Sequence, residues 1–277
     1  MGAFHRGELL VQERAGVRGR AERVAGSIRG EMPAPARSFL EDRRSVVLAA
    51  ADERGRPWAS ALGGPAGFVR ASDSRTVRIE ALPPPGDPLS QPIESTEFAG
   101  LLAIDLATRR RMRVNGRLAR ENGALLIRAD QVYANCPKYI HPREAEVSRG
   151  AGLVAAPRGA GLTDAQRDWI ARADTFFIAT MYPGEGADAS HRGGPPGFVS
   201  VAGNRLAWSD YAGNMMYNTL GNIAAYPRAG LLVPDFSTGA NLLLTGAARI
   251  VWPAQGRGGQ RIVELEVEET VELRPAS

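Results

Sequence analysis

The sequence predicts a mainly β protein with some helix, built from two tandem copies of one small antiparallel barrel that pack as a pseudo-two-fold pair. An internal repeat is the first observation behind this: residues 63–69 (GGPAGFV) recur as residues 193–199 (GGPPGFV), 130 positions later. The second is that the same register aligns 39–119 with 169–249 without a gap, with 18 of 81 positions identical. One register held through several separate motifs indicates duplication of a folded unit.

The sequences of the two copies predict the same order of secondary-structure elements. A short lead helix, ending near Asp42 or Arg172, precedes a run of β-branched, aromatic and aliphatic residues. A polar turn is expected before each Gly-Gly-Pro segment, and a helix is clearest at residues 215–225. In the first copy, the predicted strands are 46–50, one starting at 68, 76–79, 99–102 and 112–118. Their counterparts in the second copy are 176–180, one starting at 198, 206–209, 229–232 and 242–250.

These elements divide the chain into five parts. A helical arm with a Pro33-Ala34-Pro35 break covers residues 1–38, and the first copy covers 39–119. A connector runs over 120–168, the second copy over 169–252, and a tail over 253–277. The tail is Gly-rich and then alternates Glu with Val, which predicts either an edge strand or a disordered end.

Composition favours an ordinary globular protein with an anionic ligand. Hydrophobic residues make up 44% of the 277 positions and charged residues 23%. The formal charge of +4 suits a phosphate or another anion. A single cysteine, Cys136, excludes an intrachain disulfide and a multi-cysteine metal site, and no metal is expected. The chain has no apolar run long enough for a membrane span and no signal-peptide pattern, so a cytoplasmic location is expected.

No known catalytic motif stands out. The three histidines lack metal-ligand spacing, and there is no phosphate loop or dinucleotide fingerprint. The paired glycines at 63–64 and 193–194 resemble a glycine loop only loosely, and a tight turn that lets strands approach is the commoner role. We therefore assign no catalytic residue.

The difference between the copies is more informative. Residues 208–218 (WSDYAGNMMYN) of the second copy are rich in hydrogen-bonding side chains, whereas residues 78–88 (RIEALPPPGDP) of the first carry prolines that cannot donate. A helix starting after 208–218 offers free amides to an anion. A polar surface turn is the alternative. The candidate binding residues in this copy are His191, Arg192, Gly193, Ser209, Asp210, Tyr211, Asn214 and Asn218.

The first copy contributes positive charge instead. On a strand, Arg109, Arg111 and Arg113 share one face. An edge strand with this face is either a solvated rim or a wall that binds phosphate. If the copies pack as a pseudo-dimer, the wall faces residues 208–218. Arg111, Arg113 and Lys138, the only lysine, are the candidates from this side.

Five motifs together resemble the pyridoxamine 5'-phosphate oxidase-like split-barrel flavoproteins, and more narrowly their flavin-nucleotide-binding branch. The motifs are residues 4–8 (FHRGE), 111–116 (RMRVNG), 135–140 (NCPKYI), 193–199 (GGPPGFV) and 209–214 (SDYAGN). The resemblance implies a six-stranded split barrel with FMN at an interface between two barrels. The flavin would carry out the redox chemistry, and the protein would orient it.

The resemblance also implies how FMN phosphate would be held. Arg192 lies near the position of a phosphate-binding arginine of the classical oxidases. Their Ser-Arg-Lys segment is replaced here by residues 213–215 (GNM), so that part of the phosphate site is absent. Ser209, Asn214 and backbone amides would replace some of it, with Arg111, Arg113 or Lys138 supplying charge from the other copy.

The leading hypothesis is an FMN-binding oxidoreductase of unknown substrate, with one site per chain at the seam between the copies. The alternatives keep the fold but bind the deazaflavin F420 or heme, or make the protein a non-enzymatic module for ligand binding or association. Nucleic acid is less favoured because the arginines lack interleaved aromatic residues. The sequence leaves open whether two such pseudo-dimers pair as a homodimer.

Overall fold

The structure, a computed structural model, describes residues 2–91, 97–148, 150, 152–254 and 260–276. Its helices are α1 (Arg6–Arg14), α2 (Arg18–Ala25), α3 (Ala34–Glu41), α4 (Asp164–Arg172) and α5 (Asn218–Ala225). The strands of the first half are β1 (Ser45–Ala51), β2 (Pro57–Gly63), β3 (Val69–Ala71), β4 (Thr76–Ile79), β5 (Phe98–Asp105), β6 (Arg110–Glu121) and β7 (Ala124–Ala134). The remaining strands are β8 (Leu153–Ala155), β9 (Thr175–Tyr182), β10 (Gly186–Gly193), β11 (Val199–Ala202), β12 (Arg205–Ser209), β13 (Arg228–Asp235), β14 (Ala240–Val251) and β15 (Ile262–Pro275).

The strands form two antiparallel sheets with the same strand order. The first runs β2-β1-β5-β6-β7-β4-β3, and the second runs β10-β9-β13-β14-β15-β12-β11, with β8 paired to β15. Each strand of the first sheet has its counterpart at the equivalent place in the second. The predicted mainly β fold of two tandem barrels with an N-terminal helical arm is confirmed, and every predicted strand is present.

Three local expectations were wrong. The polar turns lie earlier, at residues 53–55 and 183–185, and the segments directly before the Gly-Gly-Pro motifs are the largely buried strands β2 and β10. The tail is neither an edge strand nor a disordered end over its described residues, because β15 lies between β14 and β12. The arginine-bearing strand β6 is not an edge strand either, since it lies between β5 and β7.

The boundaries of the folded units also extend beyond those drawn from the sequence. Strand β7 lies within the predicted connector and β15 within the predicted tail, and each is an interior strand of its sheet. Their pairing with β6 and β14 is interrupted by a register shift at Asn115/Gly116 and at Thr245/Gly246. These equivalent bulges lie 130 positions apart, as the repeat requires.

The halves pack through a reciprocal contact of glycines. A Cβ on Gly100 of β5 would lie 2.6 Å from the Asp188 Cα of β10. A Cβ on Gly230 of β13 would lie 2.7 Å from the Trp58 Cα of β2. Because the same pair of positions meets twice with the halves exchanged, the interface has the isologous form of a two-fold dimer.

The connector backbone lies against the Gly-Gly-Pro segments of both halves. A Cβ on Gly63 would lie 2.5 Å from the Gly150 nitrogen, and one on Gly193 would collide with the Tyr139 carbonyl. The glycines therefore permit close backbone approach, by the connector and not by a neighbouring strand as expected. No helix within the described residues is long and apolar enough to cross a membrane.

Candidate functional site

A cleft lies between the two halves, and both contribute to its walls. Strand β6 and residues 135–139 after β7 form one side. The end of β10, the loop after β12 and the first turn of α5 form the other. The cleft holds about 870 Å³ of unfilled space including its solvent-open mouth, but only about 130 Å³ admits the centre of a water molecule.

The structure brings together ten of the eleven residues expected at the site. Ser209 is the exception, because it ends β12 in a backbone pair with Ile262 and does not line the cleft. Arg109, expected on the same strand face as Arg111 and Arg113, lies in the preceding turn with a φ of 57°. The ten lining residues are Arg111, Arg113, Lys138, His191, Arg192, Gly193, Asp210, Tyr211, Asn214 and Asn218.

Arg111 and His191 join the two walls at the base of the cleft. Arg111 Nη1 lies 3.1 Å from His191 Nδ1, and Nη2 donates to the Cys136 carbonyl at 2.8 Å. Burial, and then Arg111 and Arg192, lower the pKa of His191 well below its usual value. The imidazole is therefore neutral and accepts at Nδ1, so that Nε2 carries the proton. Nε2 is buried and has no partner among the described residues.

Positive charge in the cleft exceeds what its carboxylates neutralise. Burial, followed by the nearby Arg113 and Arg192, lowers the pKa of Arg111 to about 9. Burial also lowers the pKa of Arg192. Neither arginine, nor Lys138, forms an ion pair with a carboxylate in the part of the chain that is described. A guanidinium in this environment would be stabilised by an anion.

Two other charged residues of the cleft are already paired. Arg113 Nη1 lies 3.0 Å from Asp188 Oδ1, and this contact, with Tyr133, outweighs burial and raises the pKa of Arg113. Asp210 Oδ2 accepts from Arg261 Nη2 at 3.0 Å. The expectation that Arg113 supplies free charge to a ligand is therefore not met, because Asp188 neutralises it.

The first turn of α5 presents unpaired amides to the cleft. Tyr217, the N-cap residue, makes no side-chain capping bond, and residues 218–220 line the cleft. Their backbone N–H groups make no hydrogen bond to other described residues. Met215 and Tyr217 have φ angles of 64° and 62°, and the Asn214 side chain accepts from the Met216 amide at 3.1 Å. This arrangement has the form of an anion site at a helix N-terminus.

Tyr139 and Tyr211 stack across the mouth of the cleft, with ring centroids 5.0 Å apart. Tyr139 Oη also donates to the Ala212 carbonyl at 3.3 Å. Tyr139 and Cys136 line the cleft but were not among the expected site residues. Both residues belong to segment 135–140, one of the motifs that carry the family resemblance. Their place in that motif was the sequence signal that could have identified them as site residues.

The equivalent place in the first half is packed shut. Ala61, Leu62 and Asn241 occupy the positions of His191, Arg192 and Arg111, and each is at most 3% exposed. Asn241 Nδ2 donates to the Val147 carbonyl of the connector at 3.3 Å. Side chains and connector backbone thus fill the space that is open in the other half.

A second cavity, in which about 670 Å³ admits the centre of a water molecule, lies beneath the N-terminal arm and shares Asn218 with the cleft. Its lining includes Glu8 of α1, which is 1% exposed. Burial raises the pKa of Glu8 to about 8, against the opposing effect of its hydrogen bonds from His5 and Asn218. The carboxyl is therefore mostly neutral at pH 7. No pattern in the sequence marked Glu8 beyond its place in the segment 4–8.

The fold is that of a tandem split-barrel protein with a cleft at the seam between its two halves. Residues 162–269 match the family model described as pyridoxamine 5'-phosphate oxidase. The region spans α4 and most of the second sheet, and it belongs to the pyridoxamine 5'-phosphate oxidase-like family, as the resemblance indicated.

Solved structures with related folds are only distantly similar. HupZ of Group A Streptococcus aligns with 37% of this chain and 94% of its own at 14% identity, with a TM-score of 0.31. An FAD-binding protein of Mesorhizobium loti aligns with 44% of this chain and 97% of its own at 10% identity, with a TM-score of 0.31. No curated protein matches the chain. These structural likenesses are too distant to bear on function.

Proposed function

We propose that the chain is an FMN-binding flavoprotein with one flavin site in the cleft, and that it acts as an oxidoreductase on an unknown substrate. The observation that carries this is a set of cleft groups: Arg111, Arg192 and Lys138, which have no carboxylate partner among the described residues, and the unpaired amides of residues 218–220. A phosphate ester is the ligand group that such a set suits best. The pyridoxamine 5'-phosphate oxidase-like family supports a flavin as its carrier.

The residues present fit the phosphate of FMN better than its ring. His191 Nε2 and Arg111 Nε are buried without partners, as expected where a polar ligand group is to be bound. The 130 Å³ that admits the centre of a water molecule is below the roughly 300–1,000 Å³ of typical ligand pockets. The ring would therefore occupy the solvent-open part of the cleft, where Tyr139 and Tyr211 stack.

The chain's own residues would bind and orient the flavin. Arg111 and Arg192 hold positive charge at the base, and neutral His191 keeps a donor there. Flavin, when bound, supplies the electron transfer. The contact of Arg111 with His191 fixes both side chains across the seam, so that the donors are in place before a ligand binds.

Titration with FMN and with riboflavin tests the proposal. The wild-type protein should bind FMN at least about 10-fold more tightly than riboflavin, because charge-assisted bonds to phosphate contribute roughly 1.5–3 kcal/mol each. Arg192→Ala should weaken FMN binding by about 10- to 100-fold and riboflavin binding much less. Arg205→Ala, at an exposed ion pair with Glu266, is the matched control and should bind as the wild type does.

Flavin fluorescence quenching gives these affinities. Mass spectrometry of ligand released from freshly purified protein separates FMN from a deazaflavin or heme. Protein that takes up neither FMN nor riboflavin would overturn the proposal. Reduction of the bound flavin by NADH or NADPH would support the redox role over a storage or association module.

A further inference from the structure

We infer that Glu8 and Gln12 of α1 are positioning residues for the cleft, because they hold the first turn of α5 in the form that presents its amides there. The inference rests on the proposed flavin site, which it deepens. Neither residue lines the cleft itself. Both are buried, and each bonds to a different residue of the turn that leads into α5.

Helices α1 and α5 pack at a glycine contact. A Cβ on Gly7 would collide with the Gly221 carbonyl and lie 3.1 Å from the Ala225 Cβ. A Cβ on Gly221 would lie 2.5 Å from the Glu8 Cγ. The backbones are therefore as close as glycine allows, which fixes how far α1 lies from the cleft-forming end of α5.

Glu8 links the cap of α1 to the start of α5. Its Oε2 accepts from the His5 amide at 2.8 Å, completing a capping box with the His5 side chain. Its Oε1 accepts from Asn218 Nδ2 at 2.6 Å. Asn218 is the first residue of α5 and lines the cleft, so one carboxyl connects the folding of the arm to the orientation of a cleft residue.

Gln12 holds the backbone just before α5. Its Nε2 donates to the Met216 carbonyl at 3.0 Å, and its side chain is fully buried. Met216 lies between Met215 and Tyr217, which both adopt left-handed backbone conformations. Such conformations are unfavourable for residues other than glycine and persist only where neighbouring contacts hold them.

The other contacts to the turn and the start of α5 involve side chains, with Thr219 Oγ1 2.9 Å from Ser190 Oγ and Arg261 over the Tyr217 ring. The N-cap residue Tyr217 makes no capping bond with its side chain, and the amides of 218–220 are unpaired. The arm provides the hydrogen bond to the Met216 carbonyl and one to the Asn218 side chain, and the Asn214 side chain accepts from the Met216 amide. Displacing α1 should therefore loosen the turn and reduce the fraction of molecules that can bind the flavin phosphate.

Gly7→Ala displaces α1 without changing any cleft residue. If the fraction of molecules that can bind the flavin phosphate falls to about a tenth, the apparent Kd for FMN rises about 10-fold. Amide hydrogen exchange of residues 221–225, whose amides are hydrogen-bonded in α5, should also become faster in the flavin-free protein. Gly19→Ala, on α2 of the same arm, is the matched control, because a Cβ there meets nothing within 4 Å. It should leave both measurements within about two-fold of wild type.

Gln12→Met, which keeps the size of the side chain but removes the donor to Met216, tests the same turn if Gly7→Ala does not fold. It should also speed exchange and weaken FMN binding. Arg192→Ala separates binding from positioning, since it should weaken FMN binding with exchange unchanged. Wild-type exchange at residues 221–225 in both Gly7→Ala and Gln12→Met would overturn the inference. Failure of the wild-type protein to bind FMN would instead overturn the proposed function.

Discussion

Arg113 of the first half and Asp188 of the second form an ion pair across the seam, with 3.0 Å between Nη1 and Oδ1. Their side chains are 7% and 2% exposed. Asp188 also accepts from Tyr133 Oη at 3.2 Å and from Ser190 Oγ at 2.9 Å. The pair therefore belongs to a buried polar network that links the two sheets.

Replacing Arg113 by methionine should lower the free energy of unfolding by about 3–5 kcal/mol, because Asp188 would keep a buried charge without its cation. Urea denaturation measures the change. Arg205→Met provides the control, since Arg205 and Glu266 are more than half exposed and their pair should contribute no more than about 1 kcal/mol. Equal losses in the two variants would show that burial does not set the strength of the seam pair.

Gly230→Ala should also destabilise the protein. The new Cβ would meet the Pro57 carbonyl and the Trp58 Cα of the other half, and backbone atoms cannot move aside cheaply. Overpacking of this kind costs about 1–3 kcal/mol or more in the free energy of unfolding. Gly26→Ala, where a Cβ meets nothing within 4 Å, should change it by no more than about 0.5 kcal/mol. Thermal unfolding of the two variants side by side checks this.

The flavin content should approach one per chain and not two. Ala61, Leu62 and Asn241 fill the first-half counterpart of the cleft, and Val147 of the connector closes it. Acid release of the flavin from saturated protein, followed by absorbance measurement against protein concentration, gives the ratio. A ratio near two would mean that the connector moves away and opens the first-half site.

Stability should depend on pH through Glu8. Its pKa is raised by burial to about 8 in the folded protein, against an ordinary value of 4.5. The carboxyl therefore contributes stability that is complete below about pH 4.5 and is lost as the pH rises through about 8. Charged and titratable neighbours are His5 on the same arm and Asp188 on β10, and the rim carries Glu185 and Asp130.

Between about pH 5 and about pH 8, the free energy of unfolding of the wild type should fall more steeply than that of Glu8→Gln. The difference in slope is at most about 1.4 kcal/mol per pH unit. Urea denaturation at several pH values gives both slopes. Parallel slopes would mean that Glu8 titrates normally in the folded protein.

Much of the fold could be predicted from sequence because its pattern is local and occurs twice. The strands around 46–50 and 176–180 show in runs of apolar residues, and the 130-residue offset aligns each with its partner. Strand β7 was missed, and β15 was expected at most as an edge strand. An insertion before β15 breaks the 130-residue offset, and long-range pairing sets the neighbours of both strands. Likewise, β2 and β10 are rich in Ala, Ser and Gly, and they pack against β13 and β5 of the opposite half.

The sequence by itself determined that the chain has two unequal copies, with hydrogen-bonding residues kept in one and arginines in the other. Only the tertiary structure decided which of those groups are free. Arg113 and Asp210 are neutralised by Asp188 and Arg261, whereas Arg111 has no carboxylate partner among the described residues. The reason is physical: residue type fixes the charge of a side chain, but burial and the partner that folding brings to it decide whether that charge can bind a ligand.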